Sequence, residues 1–80
     1  MKIINQPVDT IAIFEASKNK IIPYKFKYND QAVRIDTVDK VYEEKLAGNR
    51  RLVFVCTNKG YIRYELKYEI DTCLWYLFKA

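Results

Sequence analysis

The sequence predicts an all-β protein: a small antiparallel meander forming a bent sheet or small barrel of five to seven strands, with at most one short helical turn. Three features lead there. β-Branched and aromatic residues recur with period two along most of the chain. Asn, Asp and Gly stand where that alternation breaks, as turns require. Half of the residues are hydrophobic and 15% are aromatic, which is too apolar for a disordered chain. Eighty residues make one small domain, residues 1–80, with a correspondingly small core.

Strands are expected over 8–15, 20–28, 31–42, 42–47, 51–57, 61–69 and 73–79. The stretch 31–47 reads as one bent strand or two short ones. Within it, "DTVDKVYEEKLAG" is the one place where a helical turn competes, because Val38, Val41, Tyr42 and Lys45 have helical spacing. A hairpin tip closed by Gly48-Asn49 accounts for the adjacent Glu43-Glu44 as solvated residues on opposite strand faces.

The turns set the register. Asn29-Asp30 as a two-residue turn pairs Phe26 with Val33 and Tyr24 with Ile35, and places Lys25 against Arg34. "TNKGY", closed by Gly60 in the left-handed conformation, pairs Phe54 with Tyr64, Cys56 with Ile62 and Leu52 with Leu66. Asp71-Thr72 as a two-residue turn pairs Tyr68 with Trp75 and Leu66 with Leu77. The last two hairpins agree on one apolar face: Leu52, Phe54, Cys56, Ile62, Tyr64, Leu66, Tyr68, Trp75 and Leu77. A slip of one residue would scatter it.

The opposite face carries Val53, Val55, Leu74 and Phe78 among Arg51, Arg63, Glu65, Lys67, Glu69 and Tyr76. Its apolar part is too large to leave wet. Either the N-terminal strands fold over it or a second subunit covers it.

The composition excludes most chemistry. There is no His, so the commonest general base and metal ligand are absent. Two glycines leave no phosphate-binding loop. Cys56 and Cys73 lack CxxC spacing and lie roughly 26 Å apart along the expected ladder, too far to bridge. No catalytic residue, metal ligand or cofactor site is expected. "MKIINQPVDTIAIF" does not read as an export signal, and no apolar run reaches membrane-spanning length. Two thiols without an export signal point to a reducing cytoplasm.

The net charge is +4, and each half of the chain holds seven basic and five acidic side chains. The excess is therefore spread out, with no basic tail. The cations that alternation collects are Arg51, Arg63 and Lys67 with Tyr76 on one outer face, and Lys25, Lys27 and Arg34 on the first hairpin. Lys67 is expected beside both Arg51 and Tyr76. Such a surface suits a phosphate backbone or an acidic partner. Trp75 and Tyr68 read as core rather than as a platform for stacking bases.

"PYKFKYNDQAVRIDTV", then "RLVFV", "YELKYE" and the closing "WYLFK" resemble a set of small bacterial β-proteins. In these a Pro-x-x-Phe strand precedes a Val/Ile-rich strand and the chain ends in Trp-x-Leu. The pattern, over about 22–79, is also distantly similar to a small domain of unknown function that accompanies error-prone DNA polymerase genes. Tyr42 and Phe54 stand in the region where that second group carries tryptophans. The resemblance implies a bacterial source and a nucleic-acid context.

The expected function is that of a non-catalytic cytoplasmic binding module, neither an enzyme nor a membrane protein. It engages a protein partner, or self-associates as a homodimer through an edge strand. The alternative is weak, sequence-indifferent nucleic-acid binding through the basic outer face.

Overall fold

The computed structural model describes residues 1–80. Its elements are β1 (Ile3–Pro7), β2 (Thr10–Glu15), a 3-10 turn (Ala16–Lys18), β3 (Lys20–Tyr28), β4 (Gln31–Arg34), β5 (Thr37–Leu46), β6 (Asn49–Asn58), β7 (Ile62–Glu69) and β8 (Leu74–Lys79). A five-stranded antiparallel sheet has the order β1-β8-β7-β6-β5, and a three-stranded one has the order β2-β3-β4. The fold is thus all-β and antiparallel throughout.

Two corners join the sheets, and at each the hand-over takes one peptide. The Val8 N–H donates to Trp75 of β8, while the carbonyl of the next residue, Asp9, accepts from the Lys27 N–H of β3. At the second corner the Ile35 N–H donates to Tyr24, and the following Asp36 N–H donates to Thr57. Each of the four corner residues thus keeps a backbone bond to one sheet or the other where the chain changes sheet. The 31–47 stretch is therefore one bent run, and its break lies at 35–36 rather than at 42. The N-terminal stretch bends likewise: the strand expected over 8–15 begins at Thr10, and β1 precedes it.

Sequence and structure agree on β3, residue for residue, and on the first hairpin. Phe26 faces Val33 and Lys25 faces Arg34. Asn29 and Asp30 have φ of 51° and 60°, the left-handed pair that a type I′ turn demands. The competing helical turn is absent from 37–46, which is strand. It fails there because Val41 and Tyr42 pair in register with Phe54 and Val53. The one helical turn sits at Ala16–Lys18 instead.

Three turn readings are corrected. The β5–β6 turn is Ala47-Gly48, with Leu46 opposite Asn49, because both central residues take left-handed φ, at 51° and 85°. The β6–β7 turn also has two left-handed residues, Lys59 and Gly60. This moves the register two positions: Phe54 faces Leu66, Cys56 faces Tyr64 and Leu52 faces Tyr68. A shift of two keeps every residue on its face, so the core survives the change. Between β7 and β8 the loop runs from Ile70 to Cys73, with the Cys73 N–H bonded to Glu69. The expected pairs Tyr68–Trp75 and Leu66–Leu77 hold.

Phe26, Ile35, Phe54, Cys56, Leu66, Tyr68, Trp75 and Leu77 form the core. The N-terminal strands cover the Phe54 face, not the Val53 face. Trp75 is buried, its ring 4.9 Å from that of Tyr68 and 5.3 Å from that of Phe54. It is not a stacking platform.

Candidate functional site

The expected cations fall on the outer faces of different sheets. Lys25, Lys27 and Arg34 alternate with buried Phe26 and so lie outside β3–β4, where the Arg34 guanidinium stands 5.5 Å from the Tyr24 ring centre. Arg51, Arg63, Lys67 and Tyr76 lie outside the five-stranded sheet, alternating with core residues. No single surface unites the two groups.

The second group is also largely neutralised. The two-position shift places Arg51 opposite Glu69 and leaves Lys67 between Val53 and Tyr76. Lys67 therefore does not face Arg51. Arg51 Nη2 lies 3.3 Å from Glu69 Oε2, and Lys67 Nζ donates to Glu44 Oε2 at 2.9 Å. Lys67 is buried and its ammonium sits 3.6 Å from the centre of the Phe78 ring. Of the three expected cations only Arg63 is exposed and without a carboxylate partner; Lys40, opposite Val55 and 5.2 Å from the Tyr42 ring centre, is a second such cation on this face. Carboxylates interleaved with paired cations repel the phosphates that free cations would attract.

This mosaic explains how the outer face stays folded without a covering layer. Val53 is fully buried, set in register between Tyr42 and Lys67. Long polar side chains lay their stems over it and keep their heads in water or in ion pairs. The Tyr42 hydroxyl is raised from its ordinary pKa by desolvation, then by Glu65 and Glu44. Neither the N-terminal strands nor a second subunit is needed on this side.

Between the sheets, beside the 3-10 turn, a cleft of about 640 Å³ opens to solvent. Phe14, Ile21, Val41, Leu52 and Phe54 line it, and Arg50 and Glu43 stand on its rim. These two pair at 2.8 Å, and the Arg50 hydrogen bond holds the Glu43 carboxyl below its usual range. The rim charges thus satisfy each other.

Free strand edges offer unpaired backbone to other chains. Three of the four are guarded. On β1 the register is interrupted between Ile3 and Gln6, Asn5 has φ 49°, and Pro7 has no N–H to give. β4 has four residues and ends in Arg34. β5 carries Asp39, Lys40, Glu43, Glu44 and Lys45, and bulges at Asp39, whose carboxylate accepts the Thr57 hydroxyl.

The β2 edge has no such device. "TIAIFE" is uncharged until its last residue. Its register irregularity with β3 falls on the β3 side, where Tyr24 is the extra residue. Ile11, Ile13 and Phe14 are 54%, 52% and 60% exposed. These residues were not among those singled out from the sequence. The signal was present as an uncharged apolar run with strand propensity, but nothing in the sequence says that β2 has a neighbour on one side only.

No family model, curated protein or solved structure matches the chain.

Proposed function

We propose that the chain is a non-catalytic binding module that engages an extended segment of another polypeptide at the free edge of β2. One observation carries this reading: of the four strand edges, β2 alone is long, uncharged over five consecutive residues and apolar on its exposed side. Strand addition at such an edge uses the unpaired backbone for affinity and alternate side chains for selectivity. The composition supports a non-catalytic role, with no His for acid–base work. Two free cysteines suit a reducing compartment such as a bacterial cytoplasm.

The test is site-specific photocross-linking from position 14 in cells. An adduct with a polypeptide is expected, and it should disappear when Ile11→Lys and Ile13→Lys guard the edge. No adduct, or an adduct indifferent to those lysines, rejects the reading.

A further inference from the structure

We propose that two copies of this chain join β2 to β2, antiparallel about a two-fold axis through Ala12, merging their three-stranded sheets into one. The proposal rests on the strand-addition reading above and names the partner of that edge.

Backbone direction supplies the first argument. The Asp9 carbonyl points at β3, where it accepts from Lys27. Alternation along an extended strand then turns the N–H and C=O of Thr10, Ala12 and Phe14 to the free edge. An isologous antiparallel pair needs directly opposed residues on the same face. Centring it on Ala12 opposes Ala12 to its own copy and Thr10 to Phe14. All three residue pairs are then of the hydrogen-bonded kind, giving roughly six backbone bonds. Centring it on Ile13 leaves two such pairs and sets Ile11 against Glu15.

The side chains supply the second. "TIAIF" is close to a palindrome about Ala12. On the outer face Ile11 of one copy meets Ile13 of the other, twice, covering two side chains that are each more than half exposed. On the inner face the large Phe14 meets the small Thr10.

Charge opposes the pair only at its two ends. At each end of the pair Glu15 meets Asp9 of the other copy, two like charges. Each already has a lysine on its β3 side. Lys20 is the register partner of Glu15, and Lys27 bonds the Asp9 carbonyl. The row across the joined sheet reads Lys20, Glu15, Asp9, Lys27, with acids in the middle and a base at either end. The edge is thus complementary to itself in hydrogen bonding and volume.

Sedimentation and cysteine pairing test this together. In a Cys73→Ser background, chains carrying Ile11→Cys and chains carrying Ile13→Cys are mixed and oxidised mildly. Both positions are exposed, so folding is not at stake, and opposed residues in a non-hydrogen-bonded pair lie about 4.5 Å apart at Cα, within disulfide reach. The expected product joins position 11 of one chain to position 13 of the other. The untagged parent should sediment as a dimer at tens of micromolar, and Ile13→Lys should weaken dimerisation at least about tenfold. A disulfide between two copies of position 13 rejects the Ala12-centred register. A parent that stays monomeric at several hundred micromolar rejects self-pairing altogether. If position 14 still cross-links to a different polypeptide in cells, the strand-addition reading stands without it.

Discussion

Lys67 and Glu44, 23 residues apart in the chain, are joined across the outer face by a 2.9 Å hydrogen-bonded ion pair. Their strands are not neighbours, since β6 lies between them, so the bridge passes over Val53. With the ammonium also over Phe78, the pair seals an apolar strip that no second layer covers. Glu44→Ala should cost about 1–2 kcal/mol in urea unfolding, because a mostly buried cation loses its partner while water reaches part of the site. Lys67→Met, which keeps the apolar stem and removes the charge, should cost less. Equal stability of Glu44→Ala and the parent would show that the pair holds nothing together.

Trp75 closes the core between Phe54 and Tyr68. Trp75→Ala should cost roughly 3–5 kcal/mol, a large share of the stability of a domain this small. The native indole should emit at the short wavelength of a shielded ring. Emission like that of a hydrated indole in the folded protein would contradict the packing described.

Burial pushes the Cys56 thiol up from 9.0 to about 12, with Asp39 adding to it. Tyr68 is raised by its hydrogen bond with the Cys73 side chain and then by burial, and Tyr42 is raised by desolvation. In each case the unfolded chain loses its proton at lower pH than the folded chain. Their contribution to stability is intact below pH 9.0 and is lost as pH rises towards about 12. Urea midpoints should therefore fall steeply above about pH 9–10, and Cys56→Ala should flatten part of that fall. An unchanged alkaline slope in Cys56→Ala would contradict the assignment to this thiol.

The same thiol is buried and Cys73 is exposed. At neutral pH, Cys73 should be alkylated quickly and Cys56 only as the core opens. Mass spectrometry of the folded protein after brief treatment should find one label, on Cys73. Fast labelling of Cys56 would mean an open core.

Ala47 holds φ 51° at the β5–β6 turn, a conformation that costs a residue with a Cβ about 1 kcal/mol or more. Ala47→Asn should raise stability by roughly 0.5–1 kcal/mol, since Asn tolerates this region. Gly48→Ala, at φ 85° with open space around it, should lower stability through the backbone alone. A neutral or destabilising Ala47→Asn would argue against the left-handed turn.

Strand identity and facing were legible in the sequence because period-two alternation is a local property. Leu52, Phe54, Cys56, Leu66, Tyr68, Trp75 and Leu77 share a face under any shift of two, so the core was readable although the β6–β7 register was not. That register depended on which residues of "TNKGY" turn left-handed, and Lys59 gives no sign of doing so. The charge mosaic needed it: Arg51 meets Glu69 only after the two-position shift, and an outer face that alternation made basic became a set of ion pairs. Where the chain changes sheet was also beyond local pattern, because Val8–Asp9 and Ile35–Asp36 are corners only by virtue of the strands they bond on either side. The free edge of β2 belongs with them. Its apolar residues stand in the sequence, but an edge is defined by the neighbour that is missing, and only the closed order of all eight strands decides where that is.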